Sequence, residues 1–122
     1  MGKIFGAGEK ARSRREGSQA ATMEWLVDDG IVAGAGLSLA RMTVAPGACT
    51  QGHSHPNCNE VIHLIAGRVE QAIGAERFVM SPGDTAFIPL DSRHQTRNLG
   101  DGPAVMVIAY SSGTRVYEAA DA

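Results

Sequence analysis

Apolar and polar residues alternate along this chain in short bursts, and glycine, proline and asparagine separate the bursts. Residues 37–44 alternate in part and end at Pro46-Gly47, a dipeptide that turns the chain. Residues 61–66, Val-Ile-His-Leu-Ile-Ala, have few polar interruptions and read as a strand covered on both faces. Residues 68–73 and 76–80 flank Gly74-Ala75 and predict a hairpin. A strand over 85–88 stops at Pro89, residues 94–98 are extended, and residues 104–110 form a last, strongly apolar strand. Upstream, residues 24–27 predict a short strand before Asp28-Asp29-Gly30, and residues 31–33 begin another. The tail from Ser111 is polar and reads as extended or fraying. At least eight short strands with turn residues between them, and no helical period past the first 22 residues, define an all-β barrel or sandwich.

Composition narrows this to one domain. A chain of 122 residues buries a modest core and has room for one ligand cavity. With 43% apolar and 20% charged residues it falls among ordinary globular proteins, not disordered ones. The net charge of -2 gives no general attraction to nucleic acid or to acidic membranes, so neither is expected as a partner. There is no apolar run of about 18 residues and no charged-then-apolar leader pattern, so the expectation is a soluble, cytoplasmic protein. Two cysteines, Cys49 and Cys58, do not make a disulfide framework and read as reduced thiols. Charge is uneven along the chain. Lys3, Lys10, Arg12, Arg14 and Arg15 against Glu9 and Glu16 give residues 1–22 a charge of +3 and leave -5 on residues 23–122. The first stretch is expected to be an arm, mobile or docked on a partner subunit, and residues 23–122 the β domain.

The chemistry concentrates in Gly47-Ala-Cys-Thr-Gln-Gly-His53-Ser-His55-Pro-Asn-Cys-Asn-Glu60. Histidines at i and i+2 project from one face of an extended strand, so His53 and His55 can point together into an enclosed space. Glu60 lies an odd number of residues after His55 and shares that face only if the chain reverses between them. Pro56-Asn57-Cys58-Asn59 supplies the reversal, and Glu60 then opens the next strand facing the histidines. His63 has the opposite parity to Glu60 and is expected to point outward.

Gly47, His53, His55, Glu60 and Gly67 stand at the spacings of the first motif of the cupin superfamily, and Gly83, Pro89, His94 and Asn98 resemble its second motif. One position departs: Asp91 stands where that motif usually has glycine, and aspartate tolerates left-handed backbone better than most residues. The resemblance covers residues 47–98 and implies a small, single-domain cupin-type jelly-roll β-barrel. It further implies that His53, His55, Glu60 and His94 ligate a divalent metal. Three imidazoles and one carboxylate suit Fe, Mn, Ni, Co or Zn better than an all-oxygen calcium or magnesium cage. In an octahedral metal two positions would stay open for water, dioxygen or substrate oxygens.

The sequence contains no Gly-x-Ser-x-Gly elbow, phosphate-binding glycine loop, Rossmann fingerprint or paired-cysteine zinc ribbon. Two enzyme mechanisms stay open: dioxygenase-type oxidation of a chelating enediol or phenolic compound, and Lewis-acid isomerase, lyase or cyclase chemistry on a carbonyl substrate. A non-catalytic cupin that binds or senses a small molecule such as a sugar is the alternative. No catalytic acid or base is identified. Gln51, Gln95 and Arg93 adjoin ligands in sequence and are expected at the surface, although a cation such as Arg93 near the barrel mouth would favour an anionic or enolate substrate. Met106 and Tyr110 share a parity and either line the cavity or lie in the outer core. Phe78, Phe87 and Ile88 are expected to pack. A thin barrel of this size exposes sheet faces that a second copy can cover, so a homodimer is expected.

Overall fold

The computed structural model describes residues 2–7 and 14–120; Glu9, Lys10 and Arg12 of the basic arm lie outside the described residues. The described chain is all β, as the turn spacing predicts. Its strands are β1 (Arg14–Gly17), β2 (Ala21–Val27), β3 (Ser38–Val44), β4 (His53–Ser54), β5 (Glu60–Ala66), β6 (Val69–Ile73), β7 (Glu76–Met80), β8 (Thr85–Ile88), β9 (His94–Asn98), β10 (Ala104–Tyr110) and β11 (Glu118–Ala119). Six of them form one antiparallel sheet in the order β1-β2-β3-β10-β5-β8, and five form a second in the order β11-β4-β9-β6-β7. The two sheets pack as a jelly roll. No helix among the described residues is long and apolar enough to cross a membrane.

Period-two burial fixes which side chains face inward. On β5 Glu60, Ile62 and Leu64 are buried, and on β10 Ala104, Met106, Ile108 and Tyr110 are. These two strands pair Glu60 with Tyr110 and Ile62 with Ile108, so the carboxylate begins the strand whose next inward residues build the core. Trp25, Ile62, Leu64, Val69, Met106 and Ile108 are each no more than 2% exposed. The inward face of the smaller sheet mixes apolar residues such as Val69 and Met80 with buried polar ones. Gln71 and Thr96 are buried and bonded to each other, Thr96 Oγ1 donating to Gln71 Oε1 at 2.6 Å. Asn98 Nδ2 donates to the carbonyls of Val44 at 3.0 Å and Gly102 at 2.8 Å. Each buried amide therefore has its partner, which is what permits polar side chains at inward positions.

Several local expectations change. Residues 31–33 are a turn, not a strand, because Asp28 Oδ1 accepts from the backbone N–H groups of Gly30 and Ile31, both at 3.0 Å, and closes the chain on itself. Within residues 1–22, β1 pairs with β2 from Arg14 opposite Trp25 to Gly17 opposite Thr22. Ile88 packs in the core at 2% exposure, but Phe78 and Phe87 are 45% and 58% exposed. β7 and β8 are sheet-edge strands with little covering their outer faces. The tail does not fray: it returns across the barrel mouth and ends as β11 beside β4.

Candidate metal centre

Three chain segments converge at one end of the barrel. His53 in β4 lies opposite His94 at the start of β9, and Glu60 opens β5 between Tyr110 of β10 and Ile88 of β8. His55 follows β4 by one residue and is carried inward as the chain enters the Pro56-Asn57 turn. That turn is tied down from both sides, with Asp91 N–H donating to the His55 carbonyl at 2.9 Å and Leu90 N–H to Asn59 Oδ1 at 2.8 Å. Asp91 sits at φ 62°, the only described non-glycine residue in the left-handed region, so the motif position that usually carries glycine keeps glycine's conformation with aspartate in it.

One donor atom from each of His53, His55, Glu60 and His94 lies within 4.8 Å of the others, so the four side chains can hold one metal ion. His55 and His94 Nε2 stand 3.2 and 3.0 Å from Glu60 Oε1. Each imidazole is oriented by its far nitrogen. Nδ1 of His53, His55 and His94 faces the carbonyls of Gln51, Val116 and Ser92 at 2.6, 2.8 and 2.9 Å. A carbonyl only accepts, so each Nδ1 carries the proton and donates, and each Nε2 presents its lone pair. Three lone pairs and a carboxylate then face one another with no donor among them. Glu60 Oε1 and His94 Nε2 are buried, and neither makes a hydrogen bond. A divalent cation is the partner that such a set of acceptors fits.

Without a metal, the four groups shift one another's protonation. Burial pushes the Glu60 carboxyl upward, but the facing His55 and His94 imidazoles outweigh it and hold the group at about 2, ionised at neutral pH. Burial, with His94 and His55 nearby, lowers His53 to about 4 and leaves its ring neutral. Burial also lowers His94, yet its contact with Glu60 prevails and the net shift is upward. Tyr110 is raised well above its ordinary value, first by burial and then by the Glu60 charge, so its hydroxyl stays protonated beside the centre.

A cavity of about 530 Å³ is lined by three of the four side chains, His53, Glu60 and His94. Its floor is apolar, built from Met23, Met42, Ile62 and Ile108, while Arg115 and Tyr117 stand on its rim. Tyr117 stacks on His53 with ring centroids 4.6 Å apart and donates its hydroxyl to Gln51 Oε1 at 3.1 Å. Both rim residues belong to the tail that the sequence marked only as polar. Asn57 fastens that tail, its Nδ2 donating to the Thr114 carbonyl and its Oδ1 accepting from Val116 N–H, both at 2.8 Å. Asn57→Ala is therefore expected to cost about 1–3 kcal/mol. Hydrogen exchange should speed up across residues 114–120 while β3 and β10 stay protected; uniform exchange across the chain would contradict this role.

The other sequence candidates are dispersed. Arg93 is exposed, and its guanidinium packs against Gly52 behind β4, where a Cβ on the glycine would stand 3.0 Å from Nη2. Gln95 points away from the cavity, with Nε2 donating to Cys49 Sγ at 3.1 Å and to the Thr50 carbonyl at 3.3 Å. Gln51 does line the cavity. His63 faces outward, as its parity predicts, and Nδ1 meets Thr85 Oγ1 at 2.8 Å. Both cysteines are free; Cys58 is buried and Cys49 half-buried. Tyr110 lines the cavity and Met106 lies wholly in the core, so their shared parity resolves into two roles at different depths.

The sequence model of the family described as "Cupin domain" matches residues 40–110, more than half of the chain. The chain belongs to the cupin family. It is 33% identical over 100 residues to "Polyketide synthase CurC" of Streptomyces cyaneus, covering 81% of this chain and 62% of that protein. It is 35% identical over 82 residues to "Germin-like protein 3-8" of Oryza sativa subsp. japonica, covering 63% of this chain and 36% of the other. The chain thus spans less than two thirds of the length of these curated relatives. Bacillus subtilis oxalate decarboxylase, a protein described with Mn(II) centres, shares the fold with a TM-score of 0.81 at 22% identity, over 91% of this chain and 31% of its own.

Proposed function

We propose that this chain is a metal-dependent cupin enzyme acting on a small molecule, with His53, His55, Glu60 and His94 holding one divalent transition metal from the set Fe, Mn, Ni, Co and Zn. The observation that carries the proposal is the convergence of three Nε2 lone pairs and an ionised carboxylate beside a cavity of about 530 Å³ that His53, Glu60 and His94 line. When bound, the metal supplies Lewis acidity or electron transfer at the coordination positions the protein leaves open. The chain does the rest. The backbone carbonyls of Gln51, Ser92 and Val116 fix the three rings, Tyr117 covers His53 from solvent, and the methionine and isoleucine floor takes the unreactive part of the substrate.

The cavity supports a substrate larger than a two-carbon diacid. Its volume is in the range of sites that enclose drug-sized ligands. A chelating enediol or phenolic compound undergoing dioxygenase-type oxidation fits that space. So does a carbonyl compound undergoing isomerisation, elimination or cyclisation, and the polyketide-synthase relative gives the second reading its own support. A binding or sensor role is the remaining alternative. Metal-loaded protein supplied with catechol, an enediol and a β-diketone, with and without oxygen, separates the three. Metal-dependent turnover of one probe is expected, with oxygen consumption marking the oxidative reading. Saturable binding of every probe without turnover would support the binding role instead. The proposal extends to a homodimer, in which a second copy would cover the outer face that exposes Ile65 and Phe87.

A further inference from the structure

We propose that Arg115 makes this centre selective for an anionic ligand, namely a carboxylate with an adjacent hydroxyl or carbonyl oxygen and an apolar body. The inference rests on the metal-binding reading above and adds a substrate class to it.

Arg115 is the one lysine or arginine among the described residues that line the cavity. Its Nη1 stands 3.3 Å from His55 Nε2, which places a positive charge from the cavity lining directly beside the donor set. The guanidinium does not depend on that contact for its position. Its Cζ lies 4.7, 5.1 and 5.4 Å from the ring centroids of Trp25, Tyr110 and Tyr117, and Nη2 meets Glu16 Oε1 at 3.4 Å. Glu16 is itself held by the Trp25 indole N–H, which donates to it at 2.9 Å. Three aromatic faces and one carboxylate thus hold the planar fork.

Nη1 is also poorly used. It is shared between His55 Nε2 and Tyr110 Oη, both at 3.3 Å, longer than a good N–H donor bond. With the His55 lone pair on a metal, the N–H facing it has no acceptor of comparable strength, and a ligand carboxylate supplies one through a charge-assisted bond. The apolar part of the cavity lining argues for the rest of the ligand. Met23, Met42, Ile62 and Ile108 offer no polar atoms to a second charged group, so the ligand carries its charge at one end and apolar surface at the other.

Salicylate and salicylamide have nearly the same shape and differ in the charge of the group beside the phenol, so they isolate the effect. Calorimetric titration of the zinc-loaded protein is expected to show salicylate binding at least about 10-fold tighter than salicylamide. In Arg115→Gln the salicylate affinity should fall by about 10- to 100-fold while that for salicylamide changes by less than about 3-fold, with Arg115→Lys between wild type and Gln. Equal losses for both ligands would mean that Arg115 only shapes the cavity, and unchanged affinities would mean that it does not meet the ligand; either overturns the assignment. Zinc content, measured on every sample, separates the two layers of the argument. Wild type without stoichiometric zinc overturns the metal reading and this proposal together, whereas full zinc without charge discrimination overturns only the role of Arg115.

Discussion

Metal-free protein is expected to gain about 2.7 kcal/mol of stability when free metal reaches 100 times its dissociation constant, and Glu60→Gln to lose that gain. For a domain of this size the wild-type melting temperature should rise by roughly 10 °C. The informative arm is the variant without metal. Three Nε2 lone pairs and an ionised carboxylate face one another in the wild-type site, and Glu60 Oε1 and His94 Nε2 have no hydrogen-bond partner. Glutamine keeps the shape of glutamate, removes the charge and adds an N–H donor for His94. Metal-free Glu60→Gln should therefore be at least as stable as metal-free wild type while binding metal more weakly by at least about 100-fold. Strong destabilisation of the metal-free variant, with no response of wild type to metal, would identify Glu60 as the partner of protonated histidines and remove the case for a metal.

Trp25→Ala is expected to lower stability by about 3–5 kcal/mol, enough to drop the melting temperature by 10 °C or more. Trp25 is 2% exposed, the largest of the fully buried side chains. It joins the core to the cavity rim: its ring lies 5.6 Å from Tyr110, and Arg115 sits over its face. Truncation leaves a void that β1 and β2 cannot close without losing their register, and it removes the donor that holds Glu16. Trp25→Phe fills most of the space and should cost less than half as much. Urea denaturation of the three proteins gives the comparison, and a loss below about 1 kcal/mol for alanine would show that the site relaxes freely around the missing ring.

What could be read before folding was whatever depended on neighbours in sequence. The Gly74-Ala75 hairpin, the reversal at Pro56–Asn59 and the inward parity of Glu60 all follow from local turn chemistry and a two-residue period, and each is present. Asp91 was recognisable as a left-handed position from the resemblance to the cupin motif, which usually has glycine there. The tail was not legible because nothing local orders it. Its conformation depends on Asn57, on the His55 ring, whose Nδ1 meets the Val116 carbonyl, and on β4, partners about sixty residues away in sequence. Arg115 carries no local signal on that account, whereas Arg93, next to the inward His94, is exposed as its position in the sequence predicts. The strand expected at residues 31–33 failed through the reverse effect: Asp28 competes for the backbone N–H groups within three residues.

Anomalous diffraction from crystals of the metal-loaded protein tests the central claim most directly. The account predicts one strong peak bonded to Nε2 of His53, His55 and His94 and to a carboxylate oxygen of Glu60, at about 2.0–2.3 Å. A peak held by Cys49, Cys58 or His63, or no peak at the four converging side chains, would contradict it.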